Sequence, residues 1–343
     1  MPRNGSCFAA DGDPWYPPGM RPVFADPKTD FIFKRIFGSE PHKHLLIQLL
    51  NTLLELEGDG RIIDLTYLAA EQMVPLPEMK LSIVDVKCVD QRGTEYVVEM
   101  QLFNVKGFEE RVVYNASKAF VMQLRSSEDY RHLADVVGVT ICDFELWPEP
   151  SEPGAPAVPM LSRWRMQEQH TGAKRLGQVQ YVFLELPKYE GGPHPRSFLD
   201  KWTFFFREAE NLEVIPPELD EAPFREALEV ARMAGMTDAE YESYERAKMA
   251  EQDARGALEK AEEKGEARGV AKGRAAGLEE GRAAGLEEGR IEELRRSLAD
   301  LCELLGIEMT DERQELVNTA DRARLEELRN RIKQQRGWVQ EGQ

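Results

Sequence analysis

The stretch Ile83–Gln101, "IVDVKCVDQRGTEYVVEMQ", reads as two short strands around a polar turn, and each strand carries one acid among apolar neighbours: Asp85 in the first, Glu99 in the second. If Asp90 pairs with Thr94, Gln91, Arg92 and Gly93 form a three-residue loop, whose third position favours glycine. That register sets Asp85 opposite Glu99 and Ile83 opposite Gln101. Alternation along the strands then puts Val84, Val86 and Cys88 on one face with Tyr96, Val98, Met100 and Leu102. Asp85 and Lys87 share the other face with Val97, Glu99 and Gln101. A two-residue loop shifts the register by one and parts the acids. Like charges facing each other across a ladder destabilise it. The remedies are a bound cation, a raised pKa on one acid, or a basic neighbour. A hard divalent ion suits two carboxylates plus a backbone carbonyl; the plainer alternative is that Lys87 neutralises Asp85 on a solvated face.

Composition sets the frame. The chain has 343 residues, 42% of them apolar, and a net charge of −18. No apolar run is long enough to span a bilayer. Residues 1–23, rich in proline, are expected to be a disordered leader. Cys7, Cys88, Cys142 and Cys302 lack disulfide or metal spacing, which fits a cytoplasmic protein. The five histidines show no zinc pattern. The acidic total argues mildly against a nucleic-acid partner, but a local basic groove acts within about one Debye length, ~10 Å.

Outward from the ribbon, "TDFIFKRIFG" and "PHKHLLIQLLNTLLEL" predict two helices, with Thr29 or Asp30 as the first cap. Strands are expected at 62–71, 80–89 and 95–103, then a helix over 108–124 with Val113, Ser117, Phe120 and Leu124 on its apolar stripe. A short helix over 128–135, a buried strand at 136–144, a proline-rich loop at 147–160, strands at 161–170 and 177–186, and three further helices complete the reading. This order predicts an α/β core followed by an all-α tail. In the tail, "GRAAGLEE" occurs twice, and Gly265, Gly269, Gly273, Gly277, Gly281, Gly285 and Gly289 recur every fourth residue. Each glycine costs a helix about 1 kcal/mol relative to alanine. Two readings stand: helices pairing closely through small residues, or a frayed helical linker.

Several segments together resemble a known family: "DPKTDFIFKRIFG" (26–38), "LSIVDVKCVDQRGTEYVVEMQ" (81–101), "ERVVYNASKAFVMQLRSSEDY" (110–130) and "FLELPKY" (183–189). They are similar to the recombination-promoting nucleases, a transposase-like family of the PD-(D/E)xK nuclease superfamily, over about residues 24–215. The resemblance implies a restriction-endonuclease-like α/β core with a mixed sheet, followed by a helical tail (216–343). It also implies Mg²⁺-dependent (or Mn²⁺- or Ca²⁺-dependent) hydrolysis of DNA. Asp85 and Glu99 would ligate the ion with the Met100 carbonyl, and Asp30 resembles an acid given by the first helix, where a helix cap is the plainer role. Gln101 falls where lysine usually stands; an amide can orient water or phosphate but cannot act as a general base. An inactive nuclease-fold protein, binding DNA or protein partners, is the rival expectation, and a transposase proper would also need strand joining.

For DNA contact, Arg111, Lys118 and Arg125 recur every seventh residue with Tyr114 between the first two, a basic stripe that is either a grip on phosphates or a solvated face. Lys28, Lys34, Arg35 and Lys43 are a weaker basic group. The tail is expected to join two copies into a homodimer, with no membrane partner.

Overall fold

The computed structural model describes residues 22–72, 82–124, 128–150 and 152–338. The expected leader therefore lies outside the described residues but for its last two. The chain divides into two compact units, Met1–Arg255 and Gly256–Gln343.

In chain order the first unit holds α1 (Asp30–Phe37), α2 (Lys43–Leu53), β1 (Leu65–Leu68), β2 (Glu71–Gln72), β3 (Ser82–Ile83), β4 (Val86–Asp90), β5 (Glu95–Gln101) and α3 (Phe108–Val121). There follow β6 (Val136–Cys142), β7 (Leu161–Arg165), β8 (Val179–Glu185), α4 (Phe198–Glu208), α5 (Phe224–Ala231) and the start of α6 (Asp238–Leu304). Six strands form one mixed sheet in the order β1-β4-β5-β6-β8-β7. The β5–β6 and β6–β8 pairs are parallel and the others antiparallel. All seven residues of β6 are buried, as a central strand covered on both faces requires.

Alternation sorts the core into two layers. On one face Val86, Cys88, Tyr96, Val98, Val139 and Ile141 pack against α1, α2, α4 and α5, with Trp202 between Phe37 and Phe224 at ring distances of 5.7 and 4.9 Å. Phe224, Leu228 and Tyr244 belong to this core, so chain beyond residue 215 completes it. A buried ion network also anchors the start of α6: Lys248 reaches Asp26 at 2.9 Å and Glu210 at 3.1 Å.

On the opposite face α3 lies over Val97 and Val136 through Ala116 and Ala119. The expected stripe is not the one used. Val113 is 50% exposed, whereas Val112, Ala116 and Ala119 are buried. Small side chains decide the face, because the helix lies close to the sheet: a Cβ on Gly138 would meet Ala116 at 3.6 Å and Tyr181 at 3.4 Å. The expected helix at 128–135 is a single 3-10 turn over Tyr130–His132.

The second unit contains the rest of α6, α7 (Asp311–Thr319) and α8 (Arg322–Gln335), closed around Leu298, Cys302, Leu325 and Ile332. The glycine-rich stretch is continuous helix within α6, and a Cβ on any glycine from Gly265 to Gly289 would project into open space. Among the described residues no helix is long and apolar enough to cross a membrane.

Candidate active site

The hairpin adopts the three-residue loop. Val86 pairs with Val98 and Cys88 with Tyr96. The Asp90 N–H donates to the Thr94 carbonyl at 3.0 Å, and Gly93 sits at φ +90°, where a side chain would be strained. One more step of this register sets Asp85 across from Glu99, at the point where the ladder ends.

Asp85 itself ends it. The chain bends there, and the Val84 N–H turns away to the Ala70 carbonyl at 3.2 Å. Val84 thereby leaves the face it was expected to share with Val86 and packs with Val97 under α3. The Met100 N–H, which the next rung would have engaged, donates instead to Asp85 Oδ2 at 2.7 Å. A carboxylate has replaced a backbone acceptor. Strand parity turns the Met100 carbonyl to the same side, since the neighbouring Gln101 carbonyl points the other way and accepts from the Asp143 N–H.

Around this open rung the site assembles. The second oxygen of Asp85 lies 3.9 Å from Lys34 Nζ, and Lys34 is held by Asp30 at 2.6 Å, one turn back on α1. Glu99, 8% exposed, accepts from Asn115 Nδ2 at 2.7 Å. Gln101 donates through Nε2 to the Phe103 carbonyl at 3.1 Å and accepts at Oε1 from Arg111. Lys87 pairs with Glu95 at 3.0 Å and is not the partner of Asp85.

Burial pushes the Asp85 carboxyl up to about 7; the Met100 N–H and Lys34 oppose this, and the charges of Asp30 and Glu99 add to it. Burial also raises Glu99, against the Asn115 hydrogen bond and the Arg111 charge. Burial thus outweighs the nearby cation at each carboxylate. Among the described residues no group of three or more His, Cys, Asp or Glu side chains is arranged to hold a metal. The candidate donors are of another kind, two carboxylates and a main-chain carbonyl, hard oxygen groups of the type that Mg²⁺ takes.

Asp30 is linked to Asp85 through Lys34, and Gln101 to Arg111, while Asp85 lies within range of the Glu99 charge and Glu99 within range of the Arg111 charge; Lys118 of the expected basic stripe is turned inward. Lys118 is only 4% exposed, its ammonium 5.7 Å from the centre of the Tyr114 ring, and so is not part of an open cationic face. Tyr114 is half-buried, and Arg125 lies outside the described residues. The reading of the sequence missed Asn115 and gave Lys34 no specific role. The signal for Asn115 was a polar residue among the small apolar positions Val112, Ala116 and Ala119.

A mixed sheet with helices on both faces, and paired carboxylates at the broken end of a hairpin, define a nuclease-like α/β protein. The chain belongs to the PD-(D/E)XK nuclease family transposases, whose family model matches residues 27–261. That match runs through α5 and into α6, as the core of the first unit does. No curated protein and no solved structure matches the chain.

Proposed function

We propose that the protein is a metal-dependent DNA endonuclease. The observation that supports this reading is the rung left open at Asp85, whose carboxylate takes the Met100 N–H and lies within range of the Glu99 charge. Asp85, Glu99 and the Met100 carbonyl would hold a divalent cation, Mg²⁺ or a similar ion. When bound, such an ion stabilises charge on a scissile phosphate and makes water a better nucleophile. The residues around it have defined tasks. The Met100 N–H orients Asp85, Asn115 orients Glu99, and Arg111, braced by Gln101, offers a guanidinium toward phosphate. DNA as substrate is supported by the family; the site supports hydrolysis, and strand joining forms no part of the reading.

Incubating supercoiled plasmid with the protein, with and without Mg²⁺, tests it. Wild type nicks or linearises the plasmid only with the ion, and Asp85→Ala and Glu99→Ala do neither. An Asp85→Ala protein that cuts at the wild-type rate overturns the assignment.

The homodimer belongs to the same proposal. Seven glycines in an exposed helix cost about 1 kcal/mol each, and close packing against the same helix of a second copy would offset that. Deleting residues 260–292 is then expected to halve the mass measured by light scattering; an unchanged mass rejects the dimer.

A further inference from the structure

The family pattern ends in lysine, yet this chain has Gln101 there. Both ends of that amide are engaged by the protein, one by the Phe103 carbonyl and the other by Arg111. Gln101 is therefore a brace for Arg111 and, as a neutral amide, brings no positive charge to the site. Arg111 stands on the Glu99 side of the site, so on the Asp85 side a cation has to come from another residue. Among the described residues Lys34 is the only one in an ion pair with Asp85. Other nearby lysines are tied down: Lys87 to Glu95, and Lys28 and Lys248 to Asp26, all with side chains under a fifth exposed. Lys34 differs from them. Its side chain is 40% exposed, and Asp30, which holds it, is 62% exposed, so the pair faces solvent on the open side of Asp85.

We propose that Lys34 is a catalytic residue, the cation that position 101 does not supply, with Asp30 as its positioning residue. The inference rests on the reading of the site as a phosphodiester hydrolase. The Lys34 ammonium donates a hydrogen bond to an oxygen of the scissile phosphate. In the reaction the water oxygen bonds to phosphorus and the bond from phosphorus to the leaving sugar oxygen breaks. The water gives its proton to solvent and the leaving oxygen takes one from solvent. Lys34 stays charged throughout and acts on the negative charge that gathers on the phosphoryl oxygens. A brace on α1 suits this role: a salt bridge at i and i+4 holds the side chain along the helix face, with its ammonium 3.9 Å from Asp85.

The test uses the full chain and two readouts, single-turnover cleavage of duplex DNA in Mn²⁺ and calorimetric titration with Mn²⁺ alone. Lys34→Met is expected to cut about 100-fold or more slowly while binding Mn²⁺ at least as tightly as wild type, since a competing positive charge has gone. Lys34→Arg, which keeps a cation at the same place, retains most of the lost rate. Asp30→Asn slows cleavage and leaves Mn²⁺ affinity within a few-fold of wild type. Wild-type cleavage by Lys34→Met overturns the proposal. So does a loss of Mn²⁺ binding in step with cleavage, which would make Lys34 a mere support for the carboxylates. A wild-type protein that binds Mn²⁺ and cuts nothing removes the hydrolase reading itself, and this inference with it.

Discussion

Replacing Asp85 by asparagine is expected to stabilise the metal-free protein, and to do so only at high pH. The carboxyl is pushed up to about 7 from 3.8, a rise of about three pH units, each worth about 1.4 kcal/mol. Because the folded pKa is raised above the unfolded one, Asp85 costs nothing below pH 3.8. Its cost grows as pH rises toward 7 and is complete above that. Ionised Asp85 therefore opposes folding by about 4 kcal/mol at pH 8.5. Asparagine keeps an oxygen for the Met100 N–H and carries no charge, and the attraction of Lys34 is already counted in the raised value, so the gain is about 4 kcal/mol. Urea unfolding followed by tryptophan fluorescence reports it, since Trp202 is fully buried in the first unit. At pH 8.5 Asp85→Asn should unfold at higher urea than wild type, and at pH 4 the two should nearly coincide. Saturating Mg²⁺ at pH 8.5 should close the gap from the other side, by about 2.7 kcal/mol at one hundred times the dissociation constant. An asparagine variant less stable than wild type at pH 8.5, or equally displaced at both pH values, would refute the reasoning.

Other expectations follow from single contacts. Asn115→Leu removes the donor to Glu99, and should cost about 1.5–3 kcal/mol and move the alkaline-rising limb of the pH–cleavage profile upward, because Glu99 then ionises less readily. Gly93→Ala forces a side chain to φ +90° and should cost about 1–2 kcal/mol in chemical unfolding. Lys248→Met strips Asp26 of one of its two lysines and should cost about 3–5 kcal/mol at neutral pH. Asp26 lies below its usual pKa in the folded state, so its contribution is present above pH 3.8 and fades as pH falls; the gap to wild type should narrow in unfolding curves at pH 3.

Much of the fold was legible because strands announce themselves by alternation and turns by glycine. The register around Gly93 followed from both. The bend at Asp85 was not legible: Val84 looks like the next apolar residue of the same strand, and only the Ala70 carbonyl explains its departure. Helix α3 misled in the same way. Spacing names the residues that share a face, but the depth of that face is set by its partner, and Gly138 invites Ala116 while the larger Val113 is left exposed. For that reason the Lys118 of a regular stripe is buried. Lys34 and Asn115 reach the carboxylates from two helices on opposite faces of the sheet, a convergence that no local pattern encodes. The extent of the first unit was hidden too, since α5 resembles the tail in composition while Phe224 and Leu228 complete the sheet core.

The central claim is that Asp85 and Glu99 share one divalent cation. Anomalous diffraction from crystals grown with Mn²⁺ tests it most directly. The account predicts one strong peak bridging the two carboxylates, with the Met100 carbonyl as a third ligand at about 2.0–2.3 Å. A peak bound elsewhere, or carboxylates that diverge with no ion between them, would contradict it.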